Sequence, residues 1–263
     1  MLGRYLLKPF QFLHAWLLSR VLVQTCRSVH AVDASPTLVI APHPDDETLG
    51  CGGLIATKRA IGANVTVVFL TDGSAGTLHQ EQTPNQGLAL RRRGEAVAAL
   101  DHLCIDRAFV HFWDYPDGAL EHLPSETRGE LVERLASLMR SERIRAVYVP
   151  HRCDGHPDHR TAFALAKAAA SMPGPTVRLY QYAIWMWWSQ PLIFRLRWSD
   201  LSRRTLHRVG AAVERKRRAL QCHASQWPRF PLGFLRALPF ESELFFEAYV
   251  GNLSPLAIRS KRR

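Results

Sequence analysis

Short apolar runs alternate with helix-length stretches along most of this chain, and that alternation limits the fold more than any other feature. Residues 37–41 form an apolar, β-branched run typical of a buried strand, residues 49–61 have a helical pattern, and residues 65–70 form a second run. Further strands are predicted at 108–113, 146–149 and 177–184, with helices at 88–103, 125–142 and up to 171, and a polar loop at 74–87. Strand, helix, strand is the repeating unit of a parallel sheet, so the sequence predicts an α/β fold with a mainly parallel sheet.

The length and composition suit a single globular domain. The chain has 263 residues, 47% of them hydrophobic and 22% charged, which is an ordinary mixture for a domain with a sizeable core. Its five cysteines are odd in number and scattered, and they include no CxxC pair. This usage does not indicate a disulfide framework and fits a reducing compartment, so we expect a cytoplasmic protein.

Basic residues outnumber acidic ones, with 34 Lys and Arg against 23 Asp and Glu and a formal net charge of +11. Such an excess favours an anionic partner, such as nucleic acid, anionic lipid or a phosphorylated substrate. The excess is concentrated in the N-terminal thirty residues, at 195–218 and at the end of the chain, whereas the middle is nearly balanced. No RRM, zinc-knuckle or helix-turn-helix pattern is present, so no specific nucleic-acid partner is expected. A non-catalytic module that binds nucleic acid or an anionic surface is the weaker alternative.

The basic N-terminal segment, residues 1–34, contains a helical pattern with one apolar face. That face is formed by Phe10, Leu13, Leu17 and Val21. Arg20 interrupts the apolar run, which makes the segment a poor membrane-spanning helix and a poor signal peptide. A basic amphipathic helix can lie on an anionic membrane, here its cytoplasmic face, or can pack on the domain through its apolar side. The sequence leaves both possibilities open.

Polar clusters follow several predicted strands, and two of them combine histidines with carboxylates. They read His43-Pro44-Asp45-Asp46-Glu47 and His156-Pro157-Asp158-His159-Arg160. In open α/β sheets the ligand site lies at the carboxyl ends of the strands, so the two clusters can meet in space. One histidine before a helix is more often a cap or a core hydrogen-bonding residue. The two clusters together instead predict a catalytic metal site, because two histidines and one carboxylate leave a position open on Zn²⁺.

Both clusters resemble the motifs of the PIG-L/LmbE-like N-deacetylases, in residues 41–47 and 155–160. The resemblance extends to residues 70–73, to Arg92 with Glu95, to residues 115–118, and to Lys216 and Ser225-Gln226. It covers residues 38–226 and leaves out the N-terminal thirty residues and the Trp/Arg-rich segment at 185–208. It implies a Rossmann-like three-layer sandwich, with a deacetylase domain at 35–255 followed by a basic tail at 256–263.

The resemblance also implies roles for individual residues. It implies one zinc ion with three ligands: His43, Asp46 and His159. Asp45 would be the general base, and His156 would stabilise the oxyanion or act as an acid. Asp158 would orient His156, although it is also free to bond another group. Arg92 would position the substrate, unless it only pairs with Glu95 on its own helix.

The chemistry of amide hydrolysis agrees with these roles. A zinc-bound water of near-neutral pKa supplies a nucleophile that attacks the amide, and Asp45 lies beside the ligand Asp46, where it can take the water's proton. The metal and a cationic His156 would stabilise the oxyanion, and Asp45 or His156 would return a proton to the departing amine. Two histidines and a carboxylate also suit Fe²⁺, which is the alternative metal.

We therefore expect a zinc-dependent hydrolase that removes the N-acetyl group from an N-acetylglucosamine-type sugar. The basic N-terminus and the aromatic, arginine-rich segment at 185–208 favour a lipid-linked sugar or a surface glycan, with peripheral membrane contact. An acetylated thiol-cofactor precursor or an antibiotic intermediate is the alternative substrate. The sequence does not choose among these substrates, because the motifs define the reaction and the variable loops select the sugar.

Overall fold

The computed structural model describes residues 2–75, 85–174, 176–189, 196–231 and 233–250. Most of the loop predicted at 74–87, part of the Trp/Arg-rich segment and the whole basic tail lie outside these residues. The strands are β1 (Thr37–Ala41), β2 (Val65–Thr71), β3 (Val110–Tyr115), β4 (Ala146–Pro150), β5 (Arg178–Tyr182), β6 (Arg204–Arg208) and β7 (Ser242–Ala248). The α-helices are α1 (Leu2–Gln24), α2 (Asp46–Ala60), α3 (Gln86–His102), α4 (Ser125–Ser141), α5 (Pro157–Ala170), α6 (Met186–Ser189), α7 (Trp198–Ser202), α8 (Val213–Cys222) and α9 (Phe234–Ala237).

The strands of the described residues form one sheet in the order β3-β2-β1-β4-β5-β7-β6. Strands β1 to β5 are parallel, and β7 lies antiparallel between β5 and β6. The predicted α/β fold with a mainly parallel sheet is therefore confirmed. The apolar pattern did not predict β6 or β7. In β6 only Leu206 and His207 are buried, and the arginines at both of its ends suit an exposed sheet edge.

Helices cover both faces of the sheet, which makes the three layers that the resemblance implies. Alternate residues of β1 point to opposite faces, as the pleat of a strand requires. Val39 belongs to the apolar core that includes residues of α2, α3 and α8. Ile40 belongs to the core that includes residues of α4 and α5. Strand β1 is thus buried on both faces at the centre of the molecule.

Helix α2 begins at Asp46, three residues before the start predicted from the apolar pattern. Asp46 and Glu47 therefore lie in the first helical turn, where the positive end of the helix dipole favours acidic side chains. The helix approaches β5 so closely that a Cβ at Gly50 would overlap the ring of Tyr182. This contact brings the start of α2 close to the carboxyl ends of the strands.

Helix α1 contacts α6 and α9 and buries one side against them. The buried residues on that side are Ala15, Ser19 and Leu22, and the Ser19 hydroxyl donates to the Ala237 carbonyl oxygen at 2.9 Å. The opposite side exposes Leu13, Leu17 and Val21, while the side chain of Phe10 is not among those described. None of the helices in the described ranges has the length and apolar character needed to cross a bilayer.

Candidate active site

The two histidine–carboxylate clusters converge where β1 and β4, which are neighbouring parallel strands, reach their carboxyl ends. Asp46 Oδ2 lies 3.1 Å from His43 Nδ1 and 3.1 Å from His159 Nε2. The two histidine nitrogens lie 3.2 Å from each other. All three side chains are buried. A tetrahedral zinc ion with bonds of about 2.0–2.1 Å would separate its ligand atoms by about 3.3 Å, so these three atoms fit such an ion.

Carboxylates contact the outer nitrogens of both histidines. His43 Nε2 lies 3.1 Å from Asp117 Oδ1 and 3.2 Å from Asp158 Oδ2. His159 Nδ1 lies 3.1 Å from Asp154 Oδ1. Metal-binding histidines almost always direct their second nitrogen at a carboxylate, carbonyl or water, which fixes the ring orientation and raises the basicity of the ligand. Neither Asp117 nor Asp154 was predicted from the sequence as a site residue.

No hydrogen bond joins the Asp158 carboxylate to the His156 ring, so the structure gives no contact for the orienting role expected for Asp158. Its two carboxylate oxygens accept hydrogen bonds from the amides of Gly118 (2.8 Å) and Leu120 (3.0 Å), and one of them also contacts His43. Asp158 lies in the first turn of α5, from which its side chain reaches back over the residues after β3. The alternative that Asp158 bonds another group is the one that the geometry supports.

His156 caps the N-terminus of α5 and is neutral in this setting. Its Nδ1 accepts a hydrogen bond from the Asp158 amide at 3.2 Å, so the ring proton belongs on Nε2. Burial, together with the nearby His43 and His159, lowers the pKa of His156 to about 4. The expectation of a cationic His156 is therefore not met. A neutral imidazole with a proton on Nε2 is still a hydrogen-bond donor for an oxyanion.

Asp45 is buried beside the converging atoms of His43, Asp46 and His159, and its backbone is unusual. Its φ is 157° and its ψ is −23°, a combination that residues with a side chain rarely adopt. Its amide donates to Glu47 Oε2 at 3.1 Å. Burial raises the pKa of Asp45 to about 6, although the positive charge of Arg92 opposes this shift. A carboxyl group with such a pKa is suited to exchange a proton near neutral pH.

Arg92 lies in the site and does not pair with Glu95. Its guanidinium lies 3.5 Å from Asp45 Oδ2 and 3.4 Å from an oxygen of Asp117, and it donates to the Gly73 carbonyl oxygen at 3.0 Å. Glu95 accepts hydrogen bonds from Ser225 instead. The alternative in which Arg92 only makes a helix-surface pair is therefore wrong. Arg92 and Glu95, one turn apart on α3, therefore bind different partners.

A pocket opens above these groups and has polar and aromatic walls. Its lining residues are His43, Asp45, Asp46, Leu49, Ala75, Arg92, Asp117, His156, Trp185, Gln226 and Phe230. The ring of Phe234 stacks on Trp185 at 4.5 Å and on Phe230 at 5.1 Å between centroids. A mainly pre-formed pocket with apolar walls and a few convergent polar groups is typical of a small-molecule site. Trp185 comes soon after the end of β5. The two histidine clusters also follow the ends of strands, so the same sequence signal could have identified Trp185.

Fold and site together define a class of protein: an α/β protein with a two-histidine, one-carboxylate centre and a further buried acid beside it. The model of the PIG-L family, described as GlcNAc-PI de-N-acetylase, matches residues 38–170. The chain belongs to this family, as its two motifs predict.

Individual relatives agree with this membership. A diacetylchitobiose deacetylase from Thermococcus kodakarensis is 37% identical over 54% of this chain and 51% of its own length. A 1D-myo-inositol 2-acetamido-2-deoxy-alpha-D-glucopyranoside deacetylase from Catenulispora acidiphila is 31% identical over 52% and 51%. The chain thus spans about half the length of these curated relatives. An N,N'-diacetylchitobiose deacetylase structure from Pyrococcus horikoshii has a TM-score of 0.64 over 88% of this chain and 90% of its own, and at 23% identity it supports the fold alone.

Proposed function

We propose that this protein is a metal-dependent hydrolase that removes the N-acetyl group from an N-acetylglucosamine-type sugar. The observation that carries the proposal is the convergence of three metal-ligand atoms next to the buried carboxyl of Asp45. Membership of the PIG-L family and the activities named for its relatives support the same reaction. Acetylated antibiotic intermediates and thiol-cofactor precursors are alternative substrates for the same centre.

The metal ligands of the proposal are His43 Nδ1, Asp46 Oδ2 and His159 Nε2. Imidazole and carboxylate donors of this number suit Zn²⁺, with Fe²⁺ as the alternative. When bound, such an ion supplies a water of near-neutral pKa and a positive charge beside the amide oxygen. Asp117 and Asp158 hold the His43 ring from behind, and Asp154 holds the His159 ring.

The surrounding side chains handle the protons. An Asp45 carboxylate oxygen takes a proton from the attacking water and later delivers it to the nitrogen of the departing amine. Arg92, at 3.5 Å, favours the ionised form of Asp45 before the reaction begins. His156 keeps its proton, and its Nε2–H donates a hydrogen bond to the amide oxygen as negative charge develops there. Asp45 and His156 thus divide acid–base work and charge stabilisation between them.

Replacement of Asp45 tests the proposal. The zinc-loaded full chain is incubated with N,N'-diacetylchitobiose and with an N-acetylglucosaminyl-inositol, and acetate and free amine are measured. Asp45→Asn keeps the size of the side chain but removes its basicity, so kcat should fall about 10²–10⁴-fold while the metal is retained. Asp114→Asn is the matched control, because Asp114 is an exposed aspartate whose partner is the surface residue Arg93.

Full activity in Asp45→Asn would contradict the proposed base. A wild-type protein that binds metal yet releases no acetate from N-acetylated sugars, aminoglycoside intermediates or thiol-cofactor precursors would contradict the reaction itself. A binding module would show no response to either aspartate substitution.

We also propose that the protein works in the cytoplasm, contacts an anionic membrane through α1, and so reaches a lipid-linked sugar. Four outward residues of α1, between 38% and 56% exposed, lie on one side of the helix: Leu13, Trp16, Leu17 and Val21. Arg20 is exposed among them, and no acidic residue occurs before Asp33. Apolar and basic side chains on one helix side suit a bilayer of anionic phospholipid. Phe12 packs on Gly233 beside α9, whose Phe234 stacks on the pocket residue Trp185.

Vesicle sedimentation tests this contact. The full chain should sediment with phosphatidylglycerol vesicles at low salt and not with phosphatidylcholine vesicles. Leu17→Glu should weaken that binding about tenfold or more, because it removes one inserted apolar side chain and adds a negative charge. Leu90→Glu is the control, since Leu90 is exposed on α3. Equal binding of wild type and Leu17→Glu, or no binding by either, would contradict the membrane contact but leave the deacetylase proposal intact.

A further inference from the structure

The segment that follows α8, residues 223–226, contacts both elements that carry the acid–arginine pair of the site. His223 Nε2 lies 3.3 Å from Glu47 Oε1 in the first turn of α2. Ser225 binds Glu95 on α3. His223 and Glu47 are both fully buried. The proposed reaction gives none of these residues a role, although they occupy the interior beside the pocket.

Contacts through Glu47 connect His223 to the backbone of Asp45. The Asp45 amide donates to Glu47 Oε2 at 3.1 Å as well as to the His43 carbonyl oxygen at 3.0 Å. Glu47 Oε1 accepts from the Thr48 hydroxyl at 2.6 Å and faces His223. Both carboxylate oxygens are thereby fixed. Because the Asp45 backbone has φ and ψ values that are unfavourable for an aspartate, it depends on such outside contacts to stay in place.

Contacts through Ser225 fix the helix that carries Arg92. The Ser225 amide donates to Glu95 Oε1 at 2.9 Å, and its hydroxyl donates to Glu95 Oε2 at 2.6 Å. Glu95 lies one helical turn after Arg92, so the two side chains share one side of α3. Next along the segment, the Gln226 amide nitrogen donates to the Ser225 hydroxyl oxygen at 2.6 Å, and Gln226 lines the pocket.

We propose that residues 223–226 are a positioning clamp, which means that they fix the positions of Asp45 and Arg92 relative to each other. One end of the clamp fixes Asp45 through Glu47, and the other end fixes Arg92 through Glu95. The proposal rests on the deacetylase function and goes beyond it, because it assigns a task to His223 and Ser225, which do not line the pocket. A misplacement of about 1 Å in a catalytic group can cost about 10²-fold in rate, so loss of the clamp should slow the chemical step.

Replacement of His223 separates the clamp from a purely structural role. His223→Ala should lower kcat about 10–100-fold, with KM and bound metal per chain nearly unchanged. His223→Gln keeps a nitrogen donor towards Glu47 and should recover most of the rate. His207→Ala is the matched control, because His207 is also buried but contacts Thr57, three turns further along α2. This control should lose stability and keep its kcat.

A double variant tests whether His223 acts through Asp45. If it does, His223→Ala adds no further loss to Asp45→Asn, since the group that the clamp positions is already disabled. Losses that multiply would overturn the clamp. If wild type is active and His223→Ala keeps a normal kcat, the clamp is wrong and the deacetylase function stands.

Hydrogen exchange tests the clamp independently of turnover. The Asp45 amide should be protected in wild type, in His223→Gln and in His207→Ala, and should exchange faster in His223→Ala under conditions where all four proteins are folded. Unchanged protection in His223→Ala overturns the clamp even for a protein that hydrolyses no sugar tested. If wild type hydrolyses no N-acetyl compound but the exchange pattern is as expected, the deacetylase function fails and the positioning contact stands.

Discussion

The two histidine–carboxylate motifs lie at matching strand-to-helix junctions, but they are held in different ways. At the start of α5, His156 has an extended backbone with φ −88° and ψ 135°, its ring accepts from the Asp158 amide, and Pro157 occupies the first turn. At the start of α2, Asp45 has a φ of 157° and makes no side-chain cap. Its amide donates to the His43 carbonyl oxygen and also to Glu47, which is itself in contact with His223.

The α5 junction has a side-chain cap and a proline, whereas the α2 junction combines local hydrogen bonds around His43 with contacts to a distant segment. Cap and proline pre-organise the α5 junction within a few residues. At the α2 junction the general base of the proposed reaction is placed by a segment from the far end of the domain. A residue with an unfavourable backbone conformation persists only where the surrounding structure holds it in place, and such residues cluster at functional sites. Three predictions test this contrast, from the largest expected effect to the smallest.

The largest expected effect is on bound metal, and it should distinguish His159 from His156 in the α5 motif. His159→Ala removes a proposed ligand, so bound metal should fall from about one per chain to near zero after purification without chelators. His156→Ala should retain the metal and lose about 10²–10³-fold in kcat, because it removes a donor to the oxyanion. Elemental analysis beside steady-state kinetics distinguishes them. Equal metal loss in both variants would place His156 among the ligands instead.

A smaller effect is expected behind the His159 ring. Asp154→Asn keeps the shape of the side chain but weakens its contact with Nδ1, now 3.1 Å. Metal affinity should fall about 10–100-fold. Competition with a chromogenic chelator measures the change, with Asp114→Asn as the unaffected control. No change in affinity would mean that Asp154 serves the fold and not the metal centre.

The smallest effect concerns the stability of the α5 junction. Pro157→Ala should lower the free energy of unfolding by about 0.4–1 kcal/mol, because the proline restricts the unfolded chain more than alanine does. Denaturant titration measures this loss, and kcat should stay within about twofold of wild type. A large fall in kcat at unchanged metal content would show that the α5 junction, like the α2 junction, needs more than its local cap.

The sequence predicted the parts of this molecule that depend on local pattern. Strand β1 and the two motifs were predictable, because a buried parallel strand is continuously apolar and its carboxyl end carries the ligand groups. Asp117 was missed because Asp117-Gly118 has the local chemistry of a turn. Its contact with His43 requires that β3 lie two strands away from β1 in the sheet.

The sequence also did not show which of several nearby side chains each polar residue of the site would bind. Arg92 and Glu95 have the spacing of a helix-surface pair, but in the structure Glu95 binds Arg91 and Ser225. The charge of His156 could not be read from its neighbours in the chain, because its low pKa comes from burial and from two histidines brought near it by folding. Asp158 faces His43 for the same reason.

The pairing of β1 with β4 has a thermodynamic consequence. The three proposed ligand atoms come from two junctions that are far apart in the chain, and they meet only when these strands are adjacent. An ion that binds all three atoms therefore binds the native chain and not the unfolded one, which raises the melting temperature in proportion to the logarithm of free ion concentration. Metal availability in the cell would then set how long each copy of this protein survives, as well as how fast it works.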